Sequence, residues 1–273
     1  MTVPDAIATG GLEDPRATAE AFVAARLAAR SLGDYPGILP QAMAQSYAIQ
    51  DIAIGLFPDT VVGWKVGGVP PALQPRLGIH RLAGAIFARN LWSDTGGIND
   101  LPAISGGFAA AEAEFIVRIG GGVDPAQADW TLDQAIDVID TVLIGVELAG
   151  SPLAAINDLG SAVVASDFGN NAGLLVGAEL TDWRARLDTI EVETTIDGVS
   201  VGSGGALSLA GGAIESVRFL LEHCARWGRP LTEGTLVSTG AVTGVHRIYE
   251  GSTFTCAFKG VGVINGRIVS ATA

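Results

Sequence analysis

The 273-residue sequence is short of charge: Asp, Glu, Lys and Arg together make up 16% of it, against about 25% in an average soluble protein. A surface this thinly charged implies apolar area hidden between subunits, so a homo-oligomer is expected. Cysteine is also scarce. Cys224 and Cys256 are too few for a disulfide framework and show no CxxC or His-Cys spacing, which suits a reduced, cytoplasmic chain with both thiols as small core residues. No apolar run reaches the roughly 18 to 20 residues of a membrane span, and the longest charge-free stretch, Gly198 to Ile214, is broken by glycine and serine. The opening MTVPDAIATGGLEDPR lacks the basic start and apolar run of an export signal and reads as a frayed tail. Basic residues are outnumbered, 16 against 29 acidic, for a formal net charge of −13. That field repels phosphate backbones and anionic lipid, so neither nucleic acid nor membrane is an expected partner.

Familiar catalytic signatures are missing as well. Gly202 to Gly205 reads GSGG without the GK[ST] ending of a phosphate loop, and the glycine pattern at Gly260 falls between two strands. His80, His223 and His246 have no HExxH or HxH spacing, and core or surface roles are expected for them. Ser203 lacks a GxSxG elbow. What the chain has in excess is glycine: 37 residues, scattered without a period, about twice the usual share of roughly 7%. Scattered glycines signal tight turns and close backbone approaches.

Along the chain, Asp14-Pro15 is a helix start, and the alanine-rich run behind it predicts a helix to Leu32, stopped by Gly33. Gln41 to Leu56 repeats helical spacing through Met43, Tyr47, Ile49, Ile52 and Leu56. These helices form an expected N-terminal lobe, residues 1–59, packed on a β-rich catalytic domain, residues 60–273. VVGWKVGG, AIFARNLW and FAAAEAEFIVRI read as strands, and Thr131 to Gln134 is a capping box heading a short helix before the apolar strand TVLIGVELAG. Asp197-Gly198 marks a hairpin, and Asn265-Gly266 is expected to form a second one. A last helix is expected from Gly212 to Trp227. Strands and helices do not alternate, so the expected class is α+β, with an antiparallel or mixed sheet system and attached helices.

Three acids and a lysine stand out. On a strand, Glu112 and Glu114 point to one face roughly 6.5 to 7 Å apart, a spacing that lets two carboxylates converge on one hard cation such as Mg2+ or Mn2+. An isolated pair of this kind is most often a solvated acidic face, but here the flanks are alanines and Phe-Ile-Val. Glu147 sits inside the apolar LIGVELAG, where an unpaired carboxylate costs several kcal/mol to bury. A cation shared with Glu112 and Glu114 would satisfy it, and so would a salt bridge. Lys65, in GWKVGG, is one of two lysines in the chain, and its setting suits a task needing a compact ammonium or a snorkelling strand end. Arg76, Arg81 and Arg89 lie between Lys65 and the acid pair, with surface roles expected for each.

Taken in order, QAMAQSYAIQD, GWKVGG, AEAEF, GVELAGSP, NNAGLLVG and LVSTGAVTG resemble the 2-keto-4-pentenoate hydratase and 4-oxalocrotonate decarboxylase family, within the fumarylacetoacetate hydrolase superfamily. The resemblance runs from about residue 20 to the C-terminus. It implies a mixed β-sandwich or β-roll with peripheral helices and a Mg2+ or Mn2+ ion on Glu112, Glu114 and Glu147. It further implies an active-site lysine at Lys65, substrate contacts at Asn170, Asn171 and Thr239, and a small anionic 2-keto acid as substrate. The implied reaction is hydration of a 2-hydroxy-2,4-dienoate in aromatic-compound breakdown, with decarboxylation, acylpyruvate-type hydrolysis or a non-catalytic role as alternatives. The chain departs from the hydratase pattern in two places. Arg81-Leu82-Ala83-Gly84 stands where those proteins carry an Asp, and Asn170-Asn171 where they carry a serine pair. Asn can hydrogen-bond like Ser but cannot relay a proton.

Overall fold

The computed structural model describes residues 14–273, and the stretch read as a frayed tail lies largely outside them. Asp14 caps the first helix, α1 (Pro15–Leu27), its carboxylate accepting from the Arg16 amide at 3.0 Å. Composition alone predicts that this helix continues to Leu32, but it stops five residues earlier. Ala29 turns to φ +46°, and the Leu32 amide donates to Pro152 O at 2.8 Å while its side chain joins Phe22 and Leu153 in a small core cluster. Tertiary pairing here overrides helix propensity. Helix α2 (Met43–Leu56) buries Met43, Tyr47, Ile49, Ala53 and Ile54, and packs on α1.

The rest of the chain runs β1 (Val61–Gly68), α3 (Gln74–Leu77), β2 (Arg81–Phe87), β3 (Leu91–Ser93), β4 (Ile98–Ala103), β5 (Phe108–Ile119), α4 (Leu132–Asp137) and β6 (Ile139–Ser151). It continues through α5 (Ser161–Ser166), β7 (Asn171–Glu179), α6 (Trp183–Arg186), β8 (Val192–Ile196), β9 (Val199–Gly204) and α7 (Gly212–Arg226). Strands β10 (Leu236–Ser238), β11 (His246–Arg247), β12 (Thr253–Phe258) and β13 (Gly262–Ser270) end it. One sheet has eight strands, β2-β1-β10-β5-β6-β7-β3 with β11 also on β5, and the other has five, β4-β13-β12-β8-β9. Both are mixed: β1/β10, β3/β7 and β4/β13 are parallel pairs among antiparallel neighbours. Phe115 of β5 meets Phe258 of β12 edge to face, ring centroids 5.7 Å apart, where the two sheets share the main core. The expected α+β class is therefore observed.

Two long strands, β5 and β6, form the centre of the large sheet and are buried along almost their whole length. Near-continuous apolar sequence is what such a position demands. The Asp197-Gly198 hairpin joins β8 and β9 as expected, with Gly198 at φ +79°. The second expected hairpin, at Asn265-Gly266, is not there: both residues lie within β13, and the chain turns instead before it, where Gly260 has φ +72°. Gly266 is small because it pairs with Phe254, whose ring would lie 2.2 Å from a Cβ at that position. Cys224 and Cys256 are free and buried, and no helix among the described residues is long and apolar enough to cross a membrane.

Candidate active site

The antiparallel register of β5 and β6 sets Glu112 directly opposite Glu147. Glu114, two residues along β5, shares the face of Glu112. One carboxylate oxygen from each of the three lies within 4.8 Å of the others. Their relative exposures are 5%, 0% and 0% for Glu112, Glu114 and Glu147, which excludes a solvated acidic face. Lys65, on β1 and also buried, brings its Nζ to 3.4 Å from Glu147 Oε2.

Glu114 and Glu147 are held by specific donors, and the set is incomplete. Glu114 Oε2 accepts from Ser238 Oγ at 2.5 Å and from the Gly240 amide at 2.8 Å, while its Oε1 has no hydrogen-bond partner. Glu147 Oε1 accepts from Asn171 Nδ2 at 2.9 Å, while its Oε2 has only the longer ion pair with Lys65. Three carboxylates thus face one ammonium with little solvent exposure. Burial is the main cause that pushes the Glu112 carboxyl up to about 8; Lys65 pulls it back and Glu147 adds to the rise. Burial, then Glu147 and Glu112, raise Glu114 well above the usual carboxylate range. Burial pulls the Lys65 ammonium down, but Glu147, Glu112 and Glu114 outweigh it and leave its pKa raised. An all-oxygen donor set with spare negative charge and unpartnered buried oxygens fits a hard divalent cation such as Mg2+ or Mn2+.

A cavity of about 570 Å³ opens over this cluster, lined among others by Lys65, Glu112, Asn170 and Thr239, with Leu82, Val164 and Leu209 as apolar wall. Asn170 reaches it from the turn between α5 and β7, where Phe168, Gly169 and Asn170 stand at φ +50°, +64° and +65°. That turn lies flat on β2: a Cβ at Gly84 would sit 1.9 Å from Phe168 O, and one at Gly169 would sit 3.0 Å from both Gly84 Cα and Lys65 Cδ. Only glycine at these two positions lets the turn come down beside Lys65. Asn170 Oδ1 is buried without a partner, and its Nδ2 is 3.4 Å from Asn157 Oδ1. The Thr239 hydroxyl donates to Phe115 O at 2.8 Å, so it has only acceptor capacity left for a ligand.

Of the seven residues singled out in the sequence, Lys65, Glu112, Glu114 and Glu147 come together, and Asn170 and Thr239 line the cavity above them. Asn171 lies beneath, its amide supporting Glu147 instead of facing the cavity. Among the three arginines, Arg81 reaches the cavity wall, where it donates to Ala210 O and lies 3.9 Å from Glu215. Arg89 pairs with Asp59 elsewhere, and Arg76 is exposed. His80 lines the cavity with Nδ1 hydrogen-bonded to Gln74 at 2.7 Å. His223 packs against Tyr47, Phe219 and Trp227, where burial lowers its pKa to about 4. Ser238 is a site residue that sequence reasoning missed; its position one residue before Thr239 is the only local signal.

No family model matches the chain. It is similar to a 2-keto-4-pentenoate hydratase of Paraburkholderia xenovorans, 25% identical over 205 residues covering 75% of this chain and 74% of that protein. A 2-keto-4-pentenoate hydratase of Paraburkholderia phymatum is 25% identical over 224 residues, 80% of this chain and 83% of that one. Among solved structures, 4-oxalocrotonate decarboxylase from Pseudomonas putida G7, complexed with magnesium and adipate, matches with a TM-score of 0.75 at 22% identity, covering 93% of this chain and 97% of that chain. Fumarylpyruvate hydrolase from Pseudomonas aeruginosa, in complex with Mn2+ and pyruvate, matches with a TM-score of 0.56 at 18% identity, over 76% of this chain and 89% of that chain. The resemblance read from the sequence is borne out by these relatives, and the fold is like that of these solved structures.

Proposed function

We propose that this chain is a divalent-cation-dependent hydratase. It would add water to a 2-hydroxy-2,4-dienoate, or to the 2-keto-4-enoate tautomer, giving a 4-hydroxy-2-keto acid in the breakdown of aromatic compounds. The observation that carries the reading is the buried trio Glu112, Glu114 and Glu147 beside Lys65, with an oxygen left without a hydrogen bond on Glu114 and on Glu147. The names of the relatives support it.

The three glutamates would hold Mg2+ or Mn2+, which when bound supplies Lewis acidity toward the carboxylate and adjacent oxygen of a 2-keto acid. The chain's own side chains do the rest. Lys65 presents a charged Nζ to the cavity, where it can neutralise a substrate carboxylate and donate a proton. Asn170 Oδ1, buried and unpartnered, can accept from a substrate hydroxyl, and Thr239 Oγ1 can accept a second bond. Leu82, Val164 and Leu209 exclude bulk water from the carbon skeleton. The volume of about 570 Å³ suits a small substrate. The thin surface charge and the buried thiols fit a cytoplasmic homo-oligomer acting on a small anionic 2-keto acid, with neither nucleic acid nor membrane as partner.

A second reading, decarboxylation at the same site, is favoured by Asn170, which lines the cavity and cannot relay a proton to or from an attacking water as a serine would. Adding the protein and Mg2+ to a panel of 2-hydroxy-dienoates and following the dienol's ultraviolet absorbance separates the two. Absorbance loss without carbon dioxide supports hydration, loss with carbon dioxide supports decarboxylation, and no loss across the panel contradicts both.

A further inference from the structure

We infer that Arg26, on helix α1 and outside the candidate site, is a positioning residue that holds the turn carrying Asn170 and Asn171 in its working shape. The inference rests on the metal-site reading above for its consequence, and on hydrogen-bond geometry for its substance. Three consecutive residues of that turn, Phe168, Gly169 and Asn170, occupy positive φ, a region that non-glycine residues avoid. Such a segment persists only where its surroundings over-determine it.

Arg26 grips both ends of the segment. Its Nε and Nη2 donate to the two carboxylate oxygens of Asp167 at 2.7 and 2.9 Å, on the entering side, and its Nη1 donates to Asn171 O at 2.8 Å, on the leaving side. Nη2 also reaches Gly150 O on β6 at 2.9 Å, which ties the turn to the strand that carries Glu147. Ser151 Oγ donates to Asp167 Oδ2 at 2.6 Å, so both buried charges are fully engaged. The side chain of Asn171, its backbone fixed in this way, then donates to Glu147. A second polar side chain from the N-terminal helices acts alongside: Gln50 of α2 donates to Ala83 O at 3.1 Å and Ala165 O at 2.6 Å, clamping β2 to α5 on the other flank of the turn.

The test uses the full chain with Arg26→Met and Asp167→Leu together. Replacing a whole buried ion pair by apolar side chains leaves no stranded charge, so the fold should survive. Amide hydrogen exchange across 168–171 should accelerate, and affinity for Mn2+ alone should fall about tenfold or more, as when a partner of a metal ligand is lost. Arg16→Leu, removing the exposed arginine of α1 that pairs with Glu20, should change neither. A folded double variant with parental exchange and parental Mn2+ affinity overturns the inference. If the double variant does not fold, Arg26→Lys decides: it keeps the charge and loses the planar fork, so both changes are expected at smaller amplitude, and parental values contradict the role. If the parent itself binds no Mn2+, the cation reading fails, and exchange at 168–171 alone judges Arg26.

Discussion

Two buried charge clusters share one turn, and they are finished to different degrees. Around Arg26 and Asp167 the guanidinium is engaged on every nitrogen and both carboxylate oxygens accept. Around Lys65, three carboxylates meet one ammonium and two oxygens have no hydrogen-bond partner. The turn supplies Asp167 to the first cluster and Asn171 to the second. Buried charge is costly in both places, and the contrast shows how to tell architecture from a site: the first cluster balances itself, whereas the second balances only with a cation or with protons it must later release.

The two clusters should differ most at Lys65. Lys65→Met should lower turnover of the dienoate substrate by about a hundredfold to ten-thousandfold, the usual worth of a placed proton donor, while Mn2+ still binds, since the lost ammonium repels a cation. Steady-state kinetics beside a calorimetric titration checks this, and near-parental turnover would leave Lys65 as a structural counter-ion.

Single substitutions in the two clusters should have opposite effects on stability. Asp167→Ala strands the Arg26 guanidinium and should cost about 3–5 kcal/mol in urea unfolding. Glu147→Gln in the cation-free protein removes one of three crowded carboxylates and should be neutral or stabilising.

The smallest effect expected is on pH dependence. Glu112 rises from an ordinary 4.5 to about 8 in the folded chain, so the folded state holds a proton that the unfolded state releases. Its contribution to cation-free stability is complete below pH 4.5 and is lost as pH climbs through about 8. A cation displaces that proton, so the rise in melting temperature on adding Mn2+ should grow across the same interval. Thermal scans at several pH values test it; a rise that shrinks with pH would contradict the sign.

Much of this arrangement is legible in the sequence, and the reason is specific. Glu147 inside LIGVELAG and the Glu112-Ala-Glu114 step beside Phe-Ile-Val are local violations of an apolar pattern, visible without neighbours. The capping box at Thr131 and the Asp197-Gly198 hairpin are equally local. Arg26 gave no such signal: in an alanine-rich helix it looks like any solvated arginine, and only the fold reveals that a turn far along the chain closes over it. Asn265-Gly266 misled for the converse reason. The dipeptide is a strong turn signal, but Gly266 is required under the Phe254 ring, a contact between strands that no window of sequence contains.

Whether Glu112, Glu114 and Glu147 form a divalent-cation site is decided by a calorimetric titration of Mn2+ into the parent and into Glu114→Gln. The parent should bind one Mn2+ per chain, and a Glu114→Gln variant that stays folded should bind it about a hundredfold or more weakly. No binding to the parent, or equal binding to both proteins, would contradict such a site.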